Sequence, residues 1–196
     1  MDVLIQYISL DRSRKRTLTS TPKIVFYDTN FPTSLMHHYG KLTKTAVKDR
    51  CIIKYDNSVL QLFRVDQKGE DTYDMIYFPF YIALIGNSIH VLDCNYGFRS
   101  ESQIKKDINP ITIVVPHILN YTMGQQSNNG RKPFVITWPK EIPQNNNLTE
   151  SAVMTVLLIQ AHALNGIDGC QEVKEAHLAA AAKHLAVLIY RDINPA

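Results

Sequence analysis

The 196-residue sequence predicts an α+β fold in which a mixed, mostly antiparallel sheet packs on one buried central helix. Three observations carry that expectation. Between residues 75 and 93, β-branched and aromatic residues alternate or run together around Pro79 and Gly86-Asn87, the pattern of paired strands. From Ala152 to Leu164 the chain is apolar nearly all round through Ile159, which marks a helix inside a core rather than one lying on it. The composition, 45% hydrophobic and 20% charged, belongs to a folded globular chain and excludes a disordered tail or a coiled coil. A chain of this length is expected to form one domain over residues 1–196, and its start inside a first helix fits an N-terminally shortened form.

The elements follow in order. Residues 2–10 put Val3, Leu4, Tyr7 and Ile8 on one helical face, so a short amphipathic helix opens the domain. Lys23 to Tyr27 reads as a strand and Pro32 to Tyr39 as a short helix. Ile52 to Val65 reads as sheet, with Asp56-Asn57 as a turn. The segment from Met75 to Asp93 gives a strand, a break at Pro79, a buried strand at 81–85, a two-residue turn and a partner strand. Residues 95–109 are a polar stretch, and Ile111 to Tyr121, interrupted by Pro116, fits helix or strand equally. Gln125 to Lys132 is a loop and Phe134 to Trp138 a further strand. A polar Pro143-Gln144-Asn145-Asn146-Asn147 segment then leads into the buried helix, which Gly166 ends. The last helix spans about Gln171 to Tyr190, with Val173, Ala176, Ala180 and Val187 on its apolar stripe.

Charge and cysteine usage narrow the function classes. The net charge of +3 is spread along the chain, and the one tight basic cluster, Arg12, Arg14, Lys15 and Arg16, reads as a solvated loop, so no nucleic-acid partner is expected. Cys51, Cys94 and Cys170 lie far apart without zinc-ligand spacing, which predicts neither a disulfide framework nor a metal site. The N-terminus lacks a signal-peptide pattern and no apolar run is expected to reach the length of a membrane span, so the reading is an intracellular protein, cytoplasmic or nuclear, without a membrane partner. The Asn120 and Asn147 tripeptides that match a glycosylation pattern are then chance.

The order of elements places a polar group at the start of a buried helix, where backbone N–H groups and the helix dipole favour an anion. Together with YIALIGNSIHVLDC and, about fifty residues on, IPQNNNLTESAVMTVLLI, this resembles the SUMO-specific (ubiquitin-like protein, or Ulp/sentrin) cysteine proteases, particularly their plant versions. The resemblance is good over residues 55–192 and vague over 1–54. It implies a papain-like cysteine-protease fold and a catalytic centre. In that family a His-Trp pair opens a strand, an Asp-Ser pair ends the next, and Pro-x-Gln-x-Asn-x-x-Asp-Cys-Gly begins the buried helix. Carried over residue by residue, Asp93 matches the aspartate that orients the catalytic histidine, and Pro143 and Asn147 match the nucleophile segment. Asn145 stands for the oxyanion-hole glutamine unless the register slips onto Gln144; Glu150 stands for the aspartate, Ser151 for the cysteine and Ala152 for the glycine. The His-Trp pair falls near Phe80-Tyr81, and no histidine lies between His38 and His90.

A catalytic cysteine attacks as a thiolate, stabilised by its histidine from a starting pKa of about 8.5. A serine hydroxyl cannot be ionised that way and needs a general base within hydrogen-bond reach, where this sequence places aromatics. Losing several members of such a unit leaves only the residual effect of binding. Each residue also has a plainer reading. Asp93 can simply make a turn; Ser151, with Thr149 and Glu150, reads first as helix capping; Cys94 reads as a small buried hydrophobe. His162, His177 and His184 read as helix-packing residues without enough ligands for a metal. Trp138 reads as a core anchor or cleft wall more than a substrate stacker, and adjacent His37 and His38 point about 100° apart and carry no function.

The expectation is a catalytically inactive protease homologue, a protein-binding or regulatory module without cofactor or metal. Its partner is a ubiquitin-like modifier or a former substrate, met by Tyr81, Trp138, Gln144 and Glu150. The alternatives are a divergent peptidase that cleaves SUMO- or ubiquitin-like conjugates, using Ser151 or Cys94 with a distant histidine, and a regulator of something unrelated to ubiquitin-like modifiers. The oligomeric state is not read from the sequence.

Overall fold

In a computed structural model of the chain, the structure describes residues 8, 24–28, 30–63, 75–78, 82–85, 88–122 and 132–193. Five strands form one sheet in the order β1-β2-β3-β4-β5: β1 Ile24–Phe26, β2 Met75–Phe78, β3 Ile82–Ile85, β4 Ser88–Val91 and β5 Val135–Thr137. The β2–β3 and β3–β4 pairs are antiparallel, whereas β1–β2 and β4–β5 are parallel. The fold is a helix-rich α+β one and the sheet is mixed, but the expectation that it is mostly antiparallel is corrected. Each outer strand enters from a distant part of the sequence, so neither is turned back by a hairpin.

Period-two alternation gives this sheet two buried faces. Ile76, Ile89 and Val91 face one core, which is closed by α1 (Asn30–Lys44), α2 (Asn57–Leu62) and α3 (Glu101–Thr122). Tyr77 and Leu92 face the other, closed by α4 (Ser151–Gln171) and α5 (Leu178–Ile193). Met154, Leu158 and Ile159 of α4 are at most 1% exposed, so its apolar sequence is spent on packing. The stretch Leu148–Gln171 is nevertheless long and apolar enough to cross a membrane by length and composition, which corrects the expectation that no run reaches that length. About half of that stretch is buried inside the protein.

Four further expectations need correction. Ile52 to Phe63, the described part of the segment read as sheet to Val65, is not sheet: Val47–Ile52 forms a 3₁₀ helix and Asn57–Leu62 forms α2. The Asp56-Asn57 pair read as a turn is the helix start, where the Asp56 carbonyl accepts from the Val59 and Leu60 N–H groups, and Val59 and Phe63, four apart, enter the core. The polar stretch and the ambiguous segment after it are largely one 22-residue helix, α3, with Pro110 and Pro116 inside it. An interior proline removes an N–H and strands the carbonyl four residues earlier, at a typical cost of about 3 kcal/mol. Here the carbonyl freed by Pro116 is that of Thr112, and it accepts the Phe134 N–H at 3.0 Å, which ties α3 to the start of β5. The short helix expected at Pro32 to Tyr39 runs on to Lys44.

The final helix begins later than expected. Residues 172–174 are a connection, Glu175–His177 a 3₁₀ turn, and α5 follows. Its buried face carries Leu178 and Leu185, while Ala176, Ala180 and Val187 are exposed. Leucines bury more apolar area than alanines, so they set the orientation of an Ala-rich helix. Gly166 behaves as the sequence predicts: with φ 65° and ψ −151° it interrupts α4, and the helix resumes only as far as Gln171. Of the opening helix expected at 2–10, only Ile8, helical and buried, lies among the described residues; the Arg12 to Arg16 cluster and most of the expected 125–132 loop lie outside them.

Candidate functional site

Three segments meet where α4 begins. The first is the turn leaving β4, residues 92–96; the second is the polar loop at 143–147; the third is the start of α4 itself. Backbone and amide hydrogen bonds lace the first two together. Asn145 N–H donates to the Cys94 carbonyl at 2.7 Å. Gln144 Nε2 donates to the Asp93 carbonyl at 2.9 Å, while Gln144 Oε1 accepts from Tyr96 N–H at 3.0 Å. Gln144 is thus a clasp across the two loops, with both ends of its amide engaged.

Asn145 is buried and its amide is used inside its own loop: Oδ1 accepts from Asn147 N–H at 2.8 Å and Nδ2 donates to the Asn147 carbonyl at 3.0 Å. An oxyanion hole needs donors aimed at open space where negative charge develops, and these two amides face the protein. Asn147 caps the entry to α4. Its Oδ1 accepts from Thr149 N–H at 3.1 Å and from Thr149 Oγ1 at 2.7 Å. The capping assigned to Ser151, Thr149 and Glu150 therefore belongs to Asn147, with a short 3₁₀ turn at Leu148–Glu150 between cap and helix.

Ser151 is the first residue of α4, and it and Asp93 line a cleft of about 160 Å³. Val91, Phe98, Ile104, Ile108 and Leu148 supply apolar lining. Asn95, Arg99 and Asp107 complete it, with an Arg99–Asp107 ion pair in its wall. Burial pushes the Asp93 carboxyl above its ordinary range, opposed by the Asn95 N–H bonded to it and by the Arg99 charge. Next to it the Cys94 thiol, fully buried, is pushed up to about 12 by burial and by the Asp93 charge, so it stays protonated and unreactive at neutral pH.

All seven histidines lie among the described residues, none lines the cleft, and none hydrogen-bonds Ser151. His38 is buried against Asp56 at 3.2 Å on the opposite side of the sheet. His162 Nδ1 meets the Tyr77 hydroxyl at 2.6 Å, and its ring stands edge-on to that of His90 at 5.9 Å, deep between β4 and α4. His177 accepts from Lys174 N–H and, like His37 and His184, is exposed; His117 sits on α3. Among the described residues no group of three or more His, Cys, Asp or Glu side chains could hold a metal ion.

Of the residues singled out from the sequence, the cleft unites Asp93 and Ser151, while Gln144, exposed, and Asn145, buried, are not in its lining. Glu150 is half-buried outside the lining, and Trp138 is half-buried against the α3-side core with the Lys105 ammonium 5.2 Å from its ring centroid. Phe80 and Tyr81 lie outside the described residues. Sequence reasoning missed Asn95, Phe98, Arg99, Asp107 and Leu148. Only Asn95 carried a signal, as a polar residue two positions beyond Asp93.

Comparison with known protein families gives a match. The family model described as Ulp1 protease family, C-terminal catalytic domain, matches residues 1–194, including the N-terminal quarter where the sequence resemblance was vague. No curated protein and no solved structure matches the chain.

Proposed function

Because this chain belongs to the Ulp1 protease family, we propose that it is a retired member: a pseudoprotease that keeps the protease scaffold as a protein-binding or regulatory module. A ubiquitin-like modifier, or a protein once handled as substrate, is the partner. The papain-like arrangement is part of the proposal, with the sheet against α4 and the nucleophile position at the start of that helix.

The observation that carries it is the placement of the histidines, none of which hydrogen-bonds the Ser151 hydroxyl. Acyl transfer from a serine needs its proton removed as the bond forms, and a general base does this from hydrogen-bond distance. The partners of Ser151 Oγ are the Asn95 side chain at 2.9 Å and the Asn147 carbonyl at 3.4 Å, neither of which takes up a proton near neutral pH. Cys94, the other candidate nucleophile, is a buried protonated thiol. The cleft nevertheless persists, with Phe98 50% and Leu148 59% exposed at it, apolar surface that a protein partner can cover.

The test is to incubate the full chain with SUMO and with ubiquitin carrying a C-terminal electrophile. The expected result is no covalent adduct, together with chemical-shift changes in one unmodified modifier that are lost in Phe98→Ser and Leu148→Ser variants. An adduct abolished by Ser151→Ala or Cys94→Ala overturns the inactive reading. A stable partner recovered from cells with no shift of either modifier overturns the assignment of the partner.

A further inference from the structure

Ser151 and Asn95 are both buried, at 9% and 8% exposure, and their side chains meet at 2.9 Å across 56 residues of sequence. Two backbone carbonyls, those of Asn145 and of Cys94, also face the Asn95 amide. Carbonyls only accept, so the amide nitrogen faces them and the amide oxygen accepts from Ser151 Oγ–H. On its other side the Asn95 N–H donates to Asp93 Oδ1 at 2.8 Å. Asn95 therefore joins a buried carboxyl, through its backbone N–H, to a buried hydroxyl, through its side chain.

We propose that Asn95 is a positioning residue that holds the side chain at position 151 in an unreactive state, standing where a proton acceptor would have to stand. Its oxygen takes the hydrogen bond without taking the proton, and its nitrogen anchors the two loops behind it. The inference rests on the reading of the cleft as retired and deepens it by naming the residue that keeps it so. Restoring a thiol alone is then insufficient, whereas a base introduced at residue 95 is placed within hydrogen-bond reach of position 151. Histidine and asparagine share their geometry to Cγ, so Nδ1 of a histidine falls close to where Oδ1 now accepts.

The test uses Ser151→Cys in the full chain as a reporter, combined with Asn95 unchanged, Asn95→His, Asn95→Ala or Asn95→Asp. Iodoacetamide alkylation at position 151 is followed against pH, with peptide mass spectrometry separating that site from Cys51, Cys94 and Cys170; the sulfur displaces iodide and forms a thioether. With Asn95→His the thiol proton passes to the imidazole, and the profile is expected to move toward lower pH, with alkylation at pH 7 about tenfold faster or more. Asn95→Ala, which removes the oxygen that accepts the side-chain proton, is expected to move it a smaller step in the same direction, and Asn95→Asp, which sets a carboxylate against the thiol, to move it to higher pH. Profiles that coincide for His, Ala and Asp in proteins with native circular dichroism overturn the inference. Should the His variant fail to fold, the Asp variant decides alone. A profile already at low pH with Asn95 in place means that another base serves position 151, which overturns the functional reading beneath.

Discussion

Ser151 at the start of α4 and His162 three turns further on share one face of the helix, about 16 Å apart along its axis and both buried. The start is open to a cleft whose polar groups are amides, a hydroxyl, a carboxyl that is already hydrogen-bonded and the Arg99–Asp107 ion pair, with no imidazole among them. The middle holds two imidazoles and a phenol in contact, Tyr77, His90 and His162, but lies inside the core. One region has access without an imidazole, and the other has imidazoles without access. Residue types capable of proton transfer do not make an active site unless the fold brings them to a surface where substrate can reach them.

The sharpest way to separate the two regions is pH. Burial, helped by the neighbouring His90, holds His162 down to about 4 from its ordinary 6.5. The unfolded chain then binds more protons between those values, so the stability present above pH 6.5 is lost as pH falls below it. His162 alone accounts for a loss of roughly 3 kcal/mol toward pH 4. His90, also lowered by burial, adds in the same direction. Asp93, raised by burial, works the opposite way: its contribution is present at low pH and lost as pH rises through its folded value. Urea unfolding between pH 4 and 7.5 is expected to show a steep decline on the acid side that flattens in His162→Leu; an equally steep decline in that variant would mean the acid sensitivity lies elsewhere.

Next in size is Tyr77→Phe, which takes the 2.6 Å partner from His162 Nδ1 in a fully buried site. The expected cost is about 1–3 kcal/mol at pH 7.5, with no change in partner binding at the cleft. Asn147→Ala removes the cap before α4 and is expected to cost about 1 kcal/mol, read from the urea midpoint. In the Ser151→Cys reporter it should leave the alkylation profile unmoved, since Asn147 meets that side chain only through its backbone carbonyl, which alanine keeps. The smallest effect belongs to Lys105→Ala, which uncovers the Trp138 ring and breaks the i,i+4 pair with Glu101. Both contacts are exposed, so a loss below about 1 kcal/mol is expected, with a change in tryptophan emission as the direct readout.

Much of the fold was legible where a local pattern and a packing need agree. β2, β3 and β4 alternate or run apolar, and α4 is apolar because it lies between sheet and α5. The misreadings arose where a local signal was overruled by a distant partner. Pro116 reads as a break, yet Phe134 takes up the carbonyl it strands. Asp56-Asn57 reads as a turn, yet Val59 and Phe63 carry the segment into the core as a helix. The stripe assigned to the last helix followed its alanines, whereas the larger leucines decide which side is buried.

The candidate site divides in the same way. The kinds of side chain at the start of α4, and the absence of a cysteine or an acidic aspartate at positions 151 and 150, are matters of composition at known positions and need no coordinates. Which atoms face Ser151 could be decided only by the tertiary structure. The Asn95 contact closes across 56 residues and the Tyr77–His162 contact across 85, and hydrogen-bond reach between such positions is set by how sheet and helix pack, with no periodicity along the chain to announce it.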